Sequence, residues 1–284
     1  MLQKVNQVWP RCQNRSCRSQ QNWWSRLAKR GGIRLQGQWQ CGWECFETGI
    51  GEMFAKMLSG TFRRGRKNHR VPLGLVLFSR GDITHESLKA ALEAKQKSGR
   101  GRIGEWLRQM GAVREDHLTA ALGLQWSCPV FPLQDNRRYL DHAHMIPLPL
   151  LQASRMLPVH YLPASNLLYV AFSDGIDYTV LYAVEQMLGC RTQPCLVEES
   201  AWNRALEEIR QEPRLMEILF EGVQDSREMV RTAQSYAAAL EAEDVWVVAC
   251  GEYIWVRFQS SRQLGTLLFR LCPPNSPPSE EKSS

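Results

Sequence analysis

Two stretches of this chain, LGLVLFSRGDITHESLKAALEAK at Leu73–Lys95 and IGEWLRQMGAVREDHLTAALGLQ at Ile103–Gln125, are one pattern written twice, thirty positions apart. Identity falls at Gly74/Gly104, Leu77/Leu107, Gly81/Gly111, Leu88/Leu118, Ala90/Ala120, Ala91/Ala121 and Leu92/Leu122, while Leu73/Ile103 and Ile83/Val113 match in kind. Each copy reads as a helix pair. In the first, Leu73, Val76 and Leu77 recur at helical spacing, Gly81 supplies a left-handed stop, and Thr84 can cap a second helix whose apolar face is Leu88, Ala91 and Leu92. One helix pair cannot bury its own apolar face, so the duplication predicts that the two units pack together.

The polar ends decide what such a unit could do. Arg102 stands directly before Ile103-Gly104; a guanidinium can grip phosphate with two parallel hydrogen bonds, and a glycine lets a ligand approach the backbone. Gln125 closes the copy with an amide able to pair with a base edge. The pattern Arg-Leu-Gly-x-x-Leu-x-x-x-Gly-x-Ile-x-x-x-x-Leu-x-x-Ala-Leu-x-x-Gln in tandem resembles the N-terminal domain of type II secretion and type IV pilus assembly ATPases, which in some members binds cyclic di-GMP. The second copy matches throughout, at Arg102, Ile103, Gly104, Leu107, Gly111, Val113, Leu118, Ala121, Leu122 and Gln125. The first departs at both polar ends, with Pro72 where the family has Arg and Lys95 where it has Gln, and Arg70 or Gln96 are the neighbours that could stand in. The resemblance implies a ligand along the repeat. Arg102 would take phosphate or guanine, Gly74 and Gly104 would allow approach, Leu77, Leu88, Leu107 and Leu118 would cover the bases, and Gln125 would meet a base edge. Leu73, Gly81, Leu92, Lys95, Gly111 and Leu122 complete the candidate set. The same residues also read as a packing frame with exposed arginines.

At 284 residues, 44% hydrophobic and 23% charged, the composition is that of a globular protein of two or three small domains. The longest apolar runs fall short of the roughly 18–20 residues that span a bilayer. Met1-Leu2-Gln3-Lys4 is followed by no apolar stretch of the secretory kind, so the expectation is a cytoplasmic protein. The net charge of +6 is uneven: residues 1–70 hold 14 Lys and Arg against 3 Glu, and the remainder holds 21 against 26 acids. A basic leading quarter could meet nucleic acid or anionic lipid, and reads first as a solvated linker.

Four of the nine cysteines, Cys12, Cys17, Cys41 and Cys45, lie within 34 residues. An odd total without a signal peptide argues for reduced thiols rather than a disulfide framework. Between the pairs, Ile33–Trp39 looks like two short strands around a Gln-Gly turn, and a helix follows from Trp43 to Leu58. A knuckle, a hairpin and a helix whose first turn carries the last ligands is the treble-clef arrangement, and four thiolates suit tetrahedral zinc. Free buried cysteines are the alternative. Trp23, Trp24, Trp39 and Trp43 would cover the site as packing.

The expected fold class is α+β: a treble-clef-like zinc module over 1–60, a basic linker over 61–70, the tandem repeat over 71–127, a small α/β domain over 128–212, a helix with three antiparallel strands over 213–272, and a disordered tail over 273–284. In the α/β part the pattern predicts strands at Cys128–Leu133, Met156–Leu162, Asn166–Phe172 and Arg191–Val197, with helices at Leu148–Gln152, Ile176–Leu188 and Ala201–Arg210. A helix from Ser226 to Ala242 precedes strands at Asp244–Cys250, Tyr253–Gln259 and Leu264–Leu271. The α/β order is similar to the second half of the same ATPase domain, and Ala242-Glu243-Asp244-Val245 with Val256-Arg257-Phe258 looks like the subdomain before the ATPase core.

No G-x-x-x-x-G-K-[ST] occurs, nor any Gly-Lys pair, so the family's phosphate-cradling loop is missing and catalysis is not expected. Gly99-Arg100-Gly101-Arg102-Ile103-Gly104 spells a dinucleotide fingerprint, yet it joins two helix pairs rather than a strand to a helix. His142-x-His144 reads as a surface pair. The functional expectation is a non-catalytic regulatory or adaptor protein of a secretion or pilus process that senses cyclic di-GMP. The alternatives are a docking adaptor without nucleotide and a nucleic-acid binder acting through the zinc module, which has the charge and lacks a recognisable reading element.

Overall fold

A computed structural model of the chain describes residues 11–14, 16–17, 32–60, 70–133, 137–213, 216–223 and 225–271. Residues 61–69 of the linker expected at 61–70, the tail at 273–284, and Trp23 and Trp24 lie outside these residues. The described residues between 65 and 213 form one compact unit, and those before 65 and after 213 form another.

The first strands among the described residues form a hairpin, β1 (Ile33–Leu35) and β2 (Gln38–Gln40). Gln36 and Gly37 both take positive φ, 53° and 73°, which matches the right-handed twist of the flanking strands. Helix α1 (Trp43–Gly60) buries Cys45, Phe46, Ile50 and Phe54, one face at helical spacing.

The second unit opens with the repeat. Helix α2 (Leu73–Arg80) follows Pro72 and stops at Gly81, whose φ of 78° lets Gly81 and Asp82 N–H groups reach back to Phe78 and Leu77 carbonyls. Thr84 then caps α3 (His85–Ser98) in a reciprocal capping box with Ser87. The second copy gives α4 (Ile103–Gln109) and α5 (Glu115–Trp126), with Gly111 at φ 67° in the place of Gly81. The buried core of the four helices is Leu77, Ile83 and Ala91 with Leu107, Val113 and Ala121. These are three equivalent pairs, so the two copies pack through one shared frame.

After the repeat come α6 (Tyr139–His142), α7 (Leu148–Ala153), β3 (Met156–Leu162), β4 (Leu167–Phe172), α8 (Tyr178–Leu188), β5 (Arg191–Leu196) and α9 (Glu199–Gln211). Strand β4 is central, antiparallel to β3 and parallel to β5, with α8 as the crossover. The strand expected at Cys128–Leu133 is reduced to an isolated bridge, Val130 to Leu196. Pro129 and Pro132 carry no N–H and cannot continue a ladder.

On its return the chain forms β6 (Met216–Glu221), α10 (Ser226–Ala239), β7 (Asp244–Cys250), β8 (Tyr253–Gln259) and β9 (Leu264–Arg270). All five join the N-terminal hairpin in one six-stranded sheet and its helical layer, in strand order β2-β1-β7-β8-β9-β6. This corrects the division into a separate module at 1–60 and a separate sheet at 213–272. Strand β1 pairs parallel with β7, Arg34 Nε and Nη2 donate to the Asp244 carboxylate at 2.7 and 2.6 Å, and α1 shares a core with α10 and the sheet. The physical reason is size: an isolated two-stranded hairpin is marginal at best, and the α1 face of Phe46, Ile50 and Phe54 needs a sheet to lie on. Strand β6, unanticipated from sequence, runs parallel to β9 at the edge.

Candidate functional site

The repeat and the α/β layer, both within the 65–213 unit, border an open cavity of about 880 Å³. Of the sequence-predicted residues, Leu73, Lys95, Arg102, Gly104, Leu118, Leu122 and Gln125 line it. Arg70 also does, which gives the first copy a guanidinium despite Pro72; Gln96 does not.

The remaining candidates sit elsewhere, each for a packing reason. Leu77 and Leu107, expected over the bases, are fully enclosed core. Gly81 and Gly111 are left-handed helix stops. Gly74 faces a helix rather than a ligand: a Cβ there would stand 2.7 Å from Leu88 Cδ1, and the same construction at Gly104 meets Leu118 Cδ1 at 3.0 Å. The paired glycines therefore let each copy's two helices cross closely, and only Gly104 also borders the cavity. Leu88 packs on the shared core, and Leu92 is exposed outside the cavity.

Sequence reasoning missed the opposite wall. Arg155, the run Ser173–Thr179 and Glu199 form it. Most of them follow the carboxyl end of β4, where ligands gather in α/β layers, and the Ser173-Asp174-Gly175 strand end was the available signal. Arg102 pairs with Asp174 across the cavity. Its backbone N–H meets Glu105 Oε2 at 3.1 Å, which fixes the start of α4. Arg155 takes φ 50°, a region uncommon for a side-chain-bearing residue. Its guanidinium donates from Nε to Ser173 Oγ at 3.1 Å and pairs with Glu199, which also receives Arg108 at 3.0 Å. Asp177 is occupied as the cap of α8, accepting from Thr179 and Val180 N–H.

Two of the lining cations, Arg70 and Lys95, pair with no carboxylate among the described residues. Arg70 lies over the Trp126 ring at 3.1 Å. Trp126 sits 6.4 Å from the Tyr178 ring, and Gly175 leaves its indole room: a Cβ there would come within 2.8 Å of Trp126. Gln125 donates from Nε2 to the Val71 carbonyl at 2.6 Å, so its amide oxygen is the end left for a ligand. The cavity thus offers cations for phosphate, an aromatic pair for stacking, and an amide acceptor for a base N–H.

The second site is the cysteine cluster. The Sγ atoms of Cys12, Cys17, Cys41 and Cys45 all lie within 4.8 Å of one another, with Cys17 to Cys41 at 3.5 Å and Cys41 to Cys45 at 3.7 Å. Tetrahedral zinc with Zn–S of about 2.3 Å needs S···S of about 3.8 Å, so the donor set fits that ion. Burial, followed by hydrogen bonds from the neighbouring thiols, pushes the Cys45 thiol well up, and a metal would have to displace those protons. Buried Gln40 holds its amide oxygen 3.7 Å from Cys12 Sγ, tying the cluster to β2. Trp39 packs against Gly32, whereas Trp43, expected to cover the site, meets Phe46 edge-on and is 41% exposed. His142 is partnered not by His144 but by His160 and Tyr161, at ring distances of 6.3 Å, and desolvation lowers its pKa.

A tandem helix-pair repeat followed by a small α/β layer is the architecture expected from the repeat together with the strand and helix pattern after it. No family model matches the chain, and no curated protein matches it. Among solved structures it is similar to MshE with cdg, at 25% identity and a TM-score of 0.43 over 49% of this chain and 99% of that one. It is also similar to the N-terminal domain of XpsE in two crystal forms. One gives 17% identity and a TM-score of 0.36 over 48% and 91% of the two chains, the other 19% and 0.29 over 46% and 89%. Among the described residues no helix is long and apolar enough to cross a membrane.

Proposed function

We propose that this chain is a non-catalytic regulatory module of a secretion or pilus process that takes cyclic di-GMP in the cavity between the repeat and the α/β layer. The observation that carries the reading is convergence: Arg70, Lys95 and Arg102 arrive from both copies on one space that also holds Trp126, Tyr178 and the free oxygen of Gln125. Phosphodiesters are fixed anions and suit the cations. A guanine presents a π-face for the aromatic pair and an N–H edge for an amide acceptor. Binding must displace Asp174 from Arg102 or admit the ligand beside that pair. Isothermal titration calorimetry of the whole chain with cyclic di-GMP tests the reading directly.

The docking-adaptor reading has its own observations, Pro72 and Lys95 at the first copy's polar ends and the internal Arg102–Asp174 pair. Under it the same surface meets a protein and no heat is seen with nucleotide. In either case the missing phosphate loop leads us to expect no ATP turnover, and saturable hydrolysis after removal of contaminating ATPases would overturn that expectation.

In the other unit we infer a structural zinc held by Cys12, Cys17, Cys41 and Cys45. Metal analysis should give one zinc per chain. Because thiolates are the ligands, zinc should be held less tightly as pH falls and protons compete. Chelation should loosen the six-stranded sheet at its β1–β7 end while leaving the 65–213 unit folded on its own core. Purified protein without zinc would remove the claim.

A further inference from the structure

Gln40 is only 4% exposed, and its side chain ends at the cysteine cluster. It is the last residue of β2, paired with Ile33 across the hairpin, and its amide packs beside Gly49 of α1, where a Cβ would stand 3.8 Å from Gln40 Nε2. Strand and helix together hold the amide at the sulfurs. One of its two ends is used there. Oε1 lies 3.7 Å from Cys12 Sγ and accepts from the thiol, whereas Nε2, which carries two hydrogens, has no hydrogen-bond partner among the described residues. A donor on so buried a side chain is seldom left without a protein partner.

A zinc at the four sulfurs would give it one. A zinc-bound cysteine is a thiolate, with no hydrogen to give and a charge that draws N–H groups. Four thiolates around one divalent ion leave a net negative charge, here where Cys12, Cys17 and Cys45 are buried and charge is costly unless hydrogen-bonded. Such a sulfur repels the carbonyl end of Gln40 and attracts the amide end. The two ends are nearly equal in shape, so a half-turn of the terminal torsion exchanges them without moving the backbone. Gln40 also borders a groove of about 410 Å³ with Gln13, Asn14 and Gln38, where water can meet whichever end faces away from sulfur. We propose, resting on the zinc inferred for the four cysteines, that Gln40 is the amide donor to the Cys12 thiolate of the zinc-loaded protein. It is a positioning residue that turns end for end as the metal binds, and it sets how tightly the metal is held.

The test uses the full chain. Zinc affinity is measured by competition with a chelator for the wild type, for Gln40→Met, which keeps length and packing and removes both polar ends, and for Gln40→Glu, which keeps the shape and replaces the donor with charge. Affinity should fall by about 10–100-fold, the range for losing a hydrogen-bonding partner of a metal ligand, and further in Gln40→Glu than in Gln40→Met. In the cobalt-substituted proteins the sulfur-to-metal charge-transfer bands should move to longer wavelength in both variants, because a sulfur that loses a hydrogen bond gives up its electrons more readily, while the ligand-field bands of the tetrahedral site stay in place. The wild type supplies a readout without mutation: in the chain loaded with an NMR-active cadmium isotope, a Gln40 side-chain proton should couple to the metal through the hydrogen bond. Zinc held equally by all three proteins overturns the proposal and leaves the zinc itself standing. Weaker binding with the charge-transfer bands unmoved does the same, by making Gln40 a packing residue. Should the variants fold poorly by circular dichroism, the wild-type coupling decides alone, and its absence overturns the proposal. A wild-type chain that binds no zinc removes both the metal and the role of Gln40.

Discussion

Leu77, Ile83 and Ala91 in the first copy of the repeat and Leu107, Val113 and Ala121 in the second are equivalent and all buried, whereas the residues at the copies' outward and polar positions have gone separate ways. The second copy keeps Arg102 and Gln125 at its ends, and at the positions of Leu75 and Phe78 it carries Glu105, which borders the cavity, and Arg108, which pairs with Glu199 of the α/β layer. The first copy has Pro72 and Lys95 at those ends and Leu75 and Phe78 outside. Duplication supplies one packing frame twice; divergence on it is free wherever the frame is not touched. The difference teaches that the shared leucines and glycines report the fold, and that ligand or partner must be sought in the residues that differ.

The largest effects should therefore be the symmetric ones. Leu77→Ala and Leu107→Ala each remove an enclosed side chain from the common core, and each should cost about 2–5 kcal/mol of stability. Urea unfolding that shows one of them to be nearly neutral would break the claim that the copies share one frame.

Next comes a test on one side only. Arg102→Ala should weaken cyclic di-GMP binding by about 1.5–3 kcal/mol, the range for a hydrogen bond to a charged group, while the melting temperature barely moves, because this guanidinium is largely in solvent. A large loss of stability with binding retained would place Arg102 among the structural residues instead.

The glycines should show a graded response. An added methyl at Gly74 meets Leu88 at 2.7 Å and at Gly104 meets Leu118 at 3.0 Å, so Gly74→Ala should destabilise more than Gly104→Ala. Overpacking costs typically about 1–3 kcal/mol, partly offset by about 1 kcal/mol of helix propensity gained over glycine. The reverse order in thermal melts would contradict the helix-crossing role.

Smallest is the attempt to make the copies alike. Pro72→Arg should tighten the dinucleotide by about 0.2–1 kcal/mol, the range for an exposed charge pair, and unchanged binding in a calorimetric comparison would show that the first copy's end lies outside the site.

Much of this was legible before any coordinates. Gly81, Thr84 and Gly111 punctuate the helices through backbone chemistry that acts within a few residues, and a period of thirty declares itself in one sequence. What was not legible is long-range. The pairing of Arg34 with Asp244 spans 210 residues, and no local pattern says that a three-residue strand will be adopted by a distant sheet. Leu77 and Leu107 match the ligand-binding pattern of a family as well as they match a core, and only their complete enclosure separates the two. The far wall of the cavity, with Asp174, Arg155 and Tyr178, comes from a different layer, so its approach to Arg102 follows from packing and not from spacing.

The central claim is that the second copy's polar ends and the α/β layer together form a dinucleotide site, and calorimetric titration of the whole chain with cyclic di-GMP tests it most directly. The account predicts saturable heat that is reduced in Arg102→Ala and increased in Pro72→Arg. Absence of heat at millimolar ligand in both the wild type and Pro72→Arg would contradict it, leaving the fold intact and the cavity to a protein partner.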